Sequence, residues 1–195
     1  MFLYLDIDGV MVPANSWKRP ELLEDGFPEF SPKAVRSLDR IISTSNADIV
    51  LTTSHKYKYT LKEWNTIFKR RNINVNNITR LPKNTKHLNR REELIHWFNA
   101  KHLKDNFIII DDDKSLNALP KFLKDRLIQT SGSVGLTDYL ADEAIAKIKN
   151  WNYELDVGLK GAFLCSQIIG NKMLRNKKGI IIKSRISFKY FLIIK

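Results

Sequence analysis

Hydrophobic positions along the chain alternate between two patterns. Phe2 to Ile7 is an apolar run broken only by Asp6, and Gly9 ends it; a short continuous run of this kind predicts a buried strand. Ala47 to Ser54 and Asn106 to Asp113 repeat the pattern, the first closing in hydroxyls and the second in acids, and Leu127 to Thr130 is a shorter example. Between them the spacing becomes helical. Ser31-Pro32 sets a start, and the segment after it places Val35, Leu38, Ile41 and Ile42 on one face. Further helices are predicted over 59–71 (Leu61, Trp64, Ile67, Phe68), 90–102 (Leu94, Ile95, Trp97, Phe98), 114–123 and 138–149, with a weaker strand within 72–81. Strands that are apolar throughout, alternating with amphipathic helices, predict an α/β fold with a parallel sheet covered on both faces.

Composition narrows the class. The chain has 195 residues, 43% hydrophobic and 28% charged, with no repeat or low-complexity tract, which suits a folded domain with an appendage. A lone cysteine, Cys165, excludes an internal disulfide and a cysteine zinc cluster. No basic segment precedes the N-terminal apolar stretch and no run reaches a membrane span, so a cytoplasmic protein is expected. The net charge is +12, and residues 151–195 hold 9 Lys/Arg against 2 Asp/Glu. Such a balance fits a polyanionic partner, although richness in Lys, Asn and Ile also follows from an AT-rich genome.

The chemistry gathers at the strand ends. In an open parallel sheet, functional groups lie beyond the carboxyl ends of the strands, and here those ends carry Asp6 and Asp8, then Thr52, Thr53 and Ser54, then Asp111, Asp112 and Asp113. Side chains two apart share a face of an extended chain, so Asp6 and Asp8 are costly neighbours unless a cation separates them or one keeps its proton. Mg²⁺, which prefers oxygen donors, could be shared by Asp6, the main-chain carbonyl of Asp8 and an acid of the 111–113 run. Asp6 is then a candidate nucleophile toward phosphorus and Asp8 a candidate acid and base. Gly9 lets the turn bring its amides toward the phosphate.

The set D-I-D-G-V, I-V-L-T-T-S, a basic residue near the next helix and I-I-I-D-D-D resembles the motifs of the haloacid dehalogenase (HAD) superfamily of Mg²⁺-dependent phosphohydrolases, over about residues 1–149. More narrowly, with R-x-x-E-L-x-x-W and G-L-T, it is similar to the HAD domains associated with RNA-repair proteins. The resemblance implies a Rossmann-like fold, Asp6 as nucleophile, Asp8 as acid/base, and Thr53, or Thr52 if the strand ends earlier, as phosphate binder. It implies Asp111 and Asp112, with Asp6 and Asp8, around the metal, and Arg90 as the basic residue with Lys86 as second choice. Asp113 is expected to face solvent or cap a helix. His55 stands where close relatives often have Trp.

Each motif alone has a plainer reading: a strand end, a turn or a solvated cap. Their order and shared location favour chemistry. The aromatics at helical spacing are read as core, and none of the four histidines is given a role. Lys62, Lys69, Arg70 and Arg71 form a solvated basic face or a phosphate track. Intervals of about 40 and 35 residues between the motifs are each filled by a helix and loop, leaving a minimal cap and a site open to large substrates such as nucleic-acid ends. The organisation expected is a phosphohydrolase domain over 1–150 and an appendage over 151–195. Residues 151–186 resemble an internal fragment of a short-chain dehydrogenase without its working residues, with a helix over 151–174 and a β-prone end, ISFKYFLIIK. The rival to the enzyme is a non-catalytic module of HAD fold that binds metal and nucleic acid.

Overall fold

Strand β1 (Phe2–Leu5) forms the centre of a five-stranded parallel sheet in a computed structural model that describes residues 1–14, 21–99, 106–153, 180–183 and 190–193. The other strands are β2 (Asp48–Leu51), β3 (Ile78–Arg80), β4 (Phe107–Asp111) and β5 (Leu127–Gln129), in the order β3-β2-β1-β4-β5. Helices α1 (Pro32–Ser45), α2 (Leu61–Arg70), α3 (Arg90–Asn99), α4 (Lys121–Lys124) and α5 (Asp138–Tyr153) alternate with them. The chain divides into two compact units, Met1–Ile148 and Lys149–Lys195.

The period of two along each strand builds two cores. Leu3 and Leu5 of β1, Ile49 and Leu51 of β2, and Ile108 and Ile110 of β4 pack with α1, α2 and α5 through Leu38, Ile41, Trp64, Phe68 and Ala144. Tyr4, Val50, Phe107 and Ile109 point the other way, to Leu94 and Phe98 of α3 and Leu123 of α4. The central strands β1 and β4 are apolar on both faces because each face is covered. The fold class expected from the pattern is therefore the one observed.

Helix ends follow local chemistry. Pro32 opens α1, and Asn46 closes it in the left-handed conformation, its N–H donating to Ile42 O. A capping box starts α2: Glu63 N–H donates to the Thr60 hydroxyl, and Thr60 N–H to the Glu63 carboxylate at 2.7 Å.

Two expectations change. The helix expected over 114–123 is split into a 3-10 turn, Lys114–Ala118, and the single turn α4. Pro120 forces the split: it drives Leu119 to an extended ψ of 149°. Arg71 is not on the basic face with Lys69 and Arg70 but is buried. Its guanidinium donates to Asp25 at 2.8 and 3.1 Å and to the carbonyls of Pro28, Phe27 and Ile67, and it lies over the rings of Phe27 and Phe30. In the second unit, β6 (Ile180–Lys183) and β7 (Tyr190–Ile193) pair antiparallel, with Ile180 opposite Ile193. Of the helix expected over 151–174, residues 151–153 belong to α5 and the rest lies outside the described residues, as does Cys165.

Candidate active site

Strand order reverses between β1 and β4, and parallel sheets place their sites at the carboxyl ends of such a pair. Parity then decides which acids meet. Asp6 follows Tyr4 on the α3 side of the sheet, and Asp111 follows Phe107 and Ile109 on the same side. In register, Leu5 pairs with Leu51 and Ile110, and Asp6 N–H donates to Ile110 O, so Asp6 lies between the ends of β2 and β4. Arg90, the first residue of α3, reaches down onto them. Its Nη2 donates to Asp6 Oδ1 at 2.7 Å, its Nε lies 3.1 Å from Asp111 Oδ2, and its Nη1 donates to Thr52 O.

Carboxylate oxygens of Asp6, Asp111 and Asp112 lie within 4.8 Å of one another. Burial pushes the Asp6 carboxyl up to about 7, against the pull of Arg90 and with the help of Asp111 and Asp8. Burial likewise raises Asp111, against Arg90, and raises Asp112. Three carboxylates against one guanidinium leave two negative charges in excess, and all the donors are hard oxygens. The set therefore fits a divalent cation such as Mg²⁺, and neutralisation by it would favour the ionised form of Asp6.

Glycine makes room for this cluster. A Cβ on Gly9, whose φ is +73°, would come within 2.1 Å of Asp112 Oδ2, and one on Gly132 within 2.6 Å. Gly9, expected to let the turn approach phosphate, also has a structural reason here: it leaves room for the Asp112 carboxylate. Thr130 Oγ1 donates to Gly9 O at 2.9 Å and fixes the turn against β5.

The two acids of D-I-D differ in burial, although the charge of Asp8 still acts on Asp6 and Asp112. The strand stops at Leu5, and main-chain N–H groups of Met11 and Val12 both donate to Ile7 O, folding residues 7–12 into a tight turn. Asp8 consequently stands at the exposed mouth while Asp6 is buried, and its carboxylate is not part of the three-acid group. Its Oδ2 lies 3.2 Å from His55 Nδ1. Lys86 does not reach Asp6 either. Its Nζ is 3.2 Å from His96 Nε2 on the exposed side of α3, because Arg90 alone starts the helix at the strand ends.

The two threonines separate by surroundings. Thr53 caps the 3-10 turn Ser54–Tyr57, its Oγ1 accepting from His55 N–H at 3.3 Å. Thr52 N–H donates to Leu5 O, which sets Thr52 beside Asp6, and its buried Oγ1 has no hydrogen-bond partner among the described residues. Asp113 caps the next 3-10 turn by accepting from Ser115 N–H.

Sequence reasoning missed the residues behind Arg90. Glu93 Oε2 lies 3.6 Å from Arg90 Nη1, and Glu93 Oε1 accepts from the buried Lys56 Nζ at 2.9 Å. The i,i+3 spacing of Arg90 and Glu93 could have signalled the first contact. Nothing local signals Lys56 or the pairing of His55 with Asp8, which depend on the path of the turn after β2.

No helix among the described residues is long and apolar enough to cross a membrane. No curated protein and no solved structure matches the chain, so the dehydrogenase-like reading of residues 151–186 stands on its residues alone. The model of one family, described as the HAD domain in Swiss Army Knife RNA repair proteins, matches residues 2–141, which takes in every strand of the parallel sheet and each acid at its ends. With the sheet order, the paired acids and Arg90 in place, the chain belongs to this family of HAD domains.

Proposed function

We propose that the domain is a Mg²⁺-dependent phosphohydrolase that works through a phosphoryl group on Asp6, acting on phosphorylated nucleic-acid ends. Asp6 carries this reading: it ends the central strand, is grouped with Asp111 and Asp112, and is held at one oxygen by Arg90. Membership of a family named for RNA repair supports the nucleic-acid substrate.

Asp6, Asp111 and Asp112, with the main-chain carbonyl of Asp8, would hold the cation, which when bound supplies charge neutralisation for the phosphoryl oxygens. The free Asp6 oxygen forms a bond to phosphorus while the bond from phosphorus to the leaving oxygen breaks, and Asp8 gives that oxygen its proton. Asp8 then takes a proton from water as the water oxygen attacks phosphorus, releasing phosphate and restoring Asp6. Arg90 keeps the nucleophile oriented and offsets charge on the phosphate. The Thr52 hydroxyl, buried beside Asp6 and otherwise unpartnered, is assigned to a phosphoryl oxygen in preference to Thr53, which already caps a turn.

Phosphate release from p-nitrophenyl phosphate and from 5′- and 3′-phosphorylated oligonucleotides, with Mg²⁺ and with EDTA, tests this. Asp6→Asn is expected to abolish turnover, and Thr52→Val to lower it about tenfold or more. Equal rates in Asp6→Asn and the unmutated protein would leave only the rival, a metal- and nucleic-acid-binding module.

A further inference from the structure

A cavity of about 310 Å³ lies between the loop 81–88 and α3, lined among others by Leu81, Pro82, Lys83, Glu93, His96 and Trp97. Its size falls at the lower end of the roughly 300–1,000 Å³ of small-ligand sites. The loop is braced across its base by Asn84, whose side chain donates to Leu88 O and accepts from Leu88 N–H at 2.9 Å. Trp97 is fixed as well: its Nε1 donates to the Tyr4 hydroxyl at 2.9 Å.

The lining has two chemical parts. Leu81, Pro82 and the indole of Trp97 make an apolar, aromatic wall, and exposed Lys83 and Lys86 make a cationic rim. Glu93 lines the cavity and also touches Arg90, and Arg90 holds Asp6, so two side chains connect the cavity to the acidic site. Glu93 is itself neutralised by Lys56, so it does not repel an anion as a free carboxylate would.

An aromatic wall offers a face to any base, and cations beside it suit the phosphodiester that joins that base to its neighbour. A phosphoserine peptide without aromatic or acidic neighbours supplies one phosphate and no ring, and so leaves the aromatic wall and the rim lysines unmatched. Resting on the phosphohydrolase reading above, we infer that this cavity is the subsite for the nucleotide next to the phosphate that is removed, in a single-stranded nucleic-acid end. The base lies along Trp97 and the following phosphodiester meets Lys83 and Lys86.

Binding to the full chain carrying Asp6→Asn tests this without turnover. Calorimetric titrations would use a 5′-phosphorylated trinucleotide, its 3′-phosphorylated counterpart, inorganic phosphate and a phosphoserine tripeptide. One of the trinucleotides is expected to bind at least tenfold more tightly than phosphate or the peptide. Trp97→Leu and, separately, Lys83→Glu are each expected to weaken that trinucleotide about tenfold and leave phosphate binding unchanged. Lys83 is exposed, so its variant keeps the test decisive if Trp97→Leu does not fold. A trinucleotide no tighter than phosphate, a peptide that binds equally well, or Lys83→Glu without effect would overturn the inference. Absence of turnover in the unmutated protein would sink the phosphohydrolase and leave the binding result to be judged separately.

Discussion

Asp112 sits where two glycines leave space for it, and a Cβ on either would clash with its carboxylate. Gly9→Ala would add a Cβ 2.1 Å from the carboxylate at a φ of +73°, a backbone cost of about 1–2 kcal/mol before the clash is counted. The expected outcome is a folded protein of lower melting temperature whose Mg²⁺-dependent activity falls much further than its stability. A mutant with full activity would show that Asp112 need not occupy this position. Gly9 was legible in the sequence as a residue at a turn, but the room it makes for Asp112 was not, because that neighbour is more than a hundred positions away. Arg90 was legible as a choice among cations. The chain of contacts through Glu93 to Lys56 was not, since buried pairs between a helix and a distant 3-10 turn leave no periodic trace.

At the scale of elements, continuous apolar runs were enough to recover β1, β2, β4 and β5, because a strand covered on both faces has no polar phase to obscure it. The helix expected over 114–123 failed at Pro120, where restriction of the preceding residue outweighs helical spacing. The segment around Asp25 to Phe30 has no apolar periodicity that announces its place in the fold. It is held by Arg71, which closes α2 and whose side chain donates five hydrogen bonds. Arg71→Met leaves Asp25 unpaired and is expected to cost about 3 kcal/mol in urea unfolding. Hydrogen bonds from Arg71 hold the Asp25 carboxyl below its usual range. A lowered folded value means the stabilisation is complete above the unfolded pKa, about 3.9, and disappears as pH falls through the folded one. Asp25→Asn should therefore flatten the loss of stability below about pH 4, and an unchanged acid limb would show that the pair does not contribute.

For the whole molecule, every group assigned a chemical part lies within the unit Met1–Ile148, and the family match ends at residue 141. A chain ending at Tyr153 is accordingly expected to keep both its melting transition and its phosphate release. Joint loss of the two would make residues 154–195 integral to the domain. Residues 151–195 hold 9 Lys/Arg against 2 Asp/Glu, so the same truncation should lower the salt sensitivity of oligonucleotide binding.

Because β1 is hydrogen-bonded on both sides, it has no edge along which to slide. Removing one letter between Phe2 and Leu5 would hand its aliphatic side chains to the opposite cores and turn Asp6 away from its guanidinium. Descendants of this gene can exchange residues along that strand freely compared with how rarely they can shorten or lengthen it.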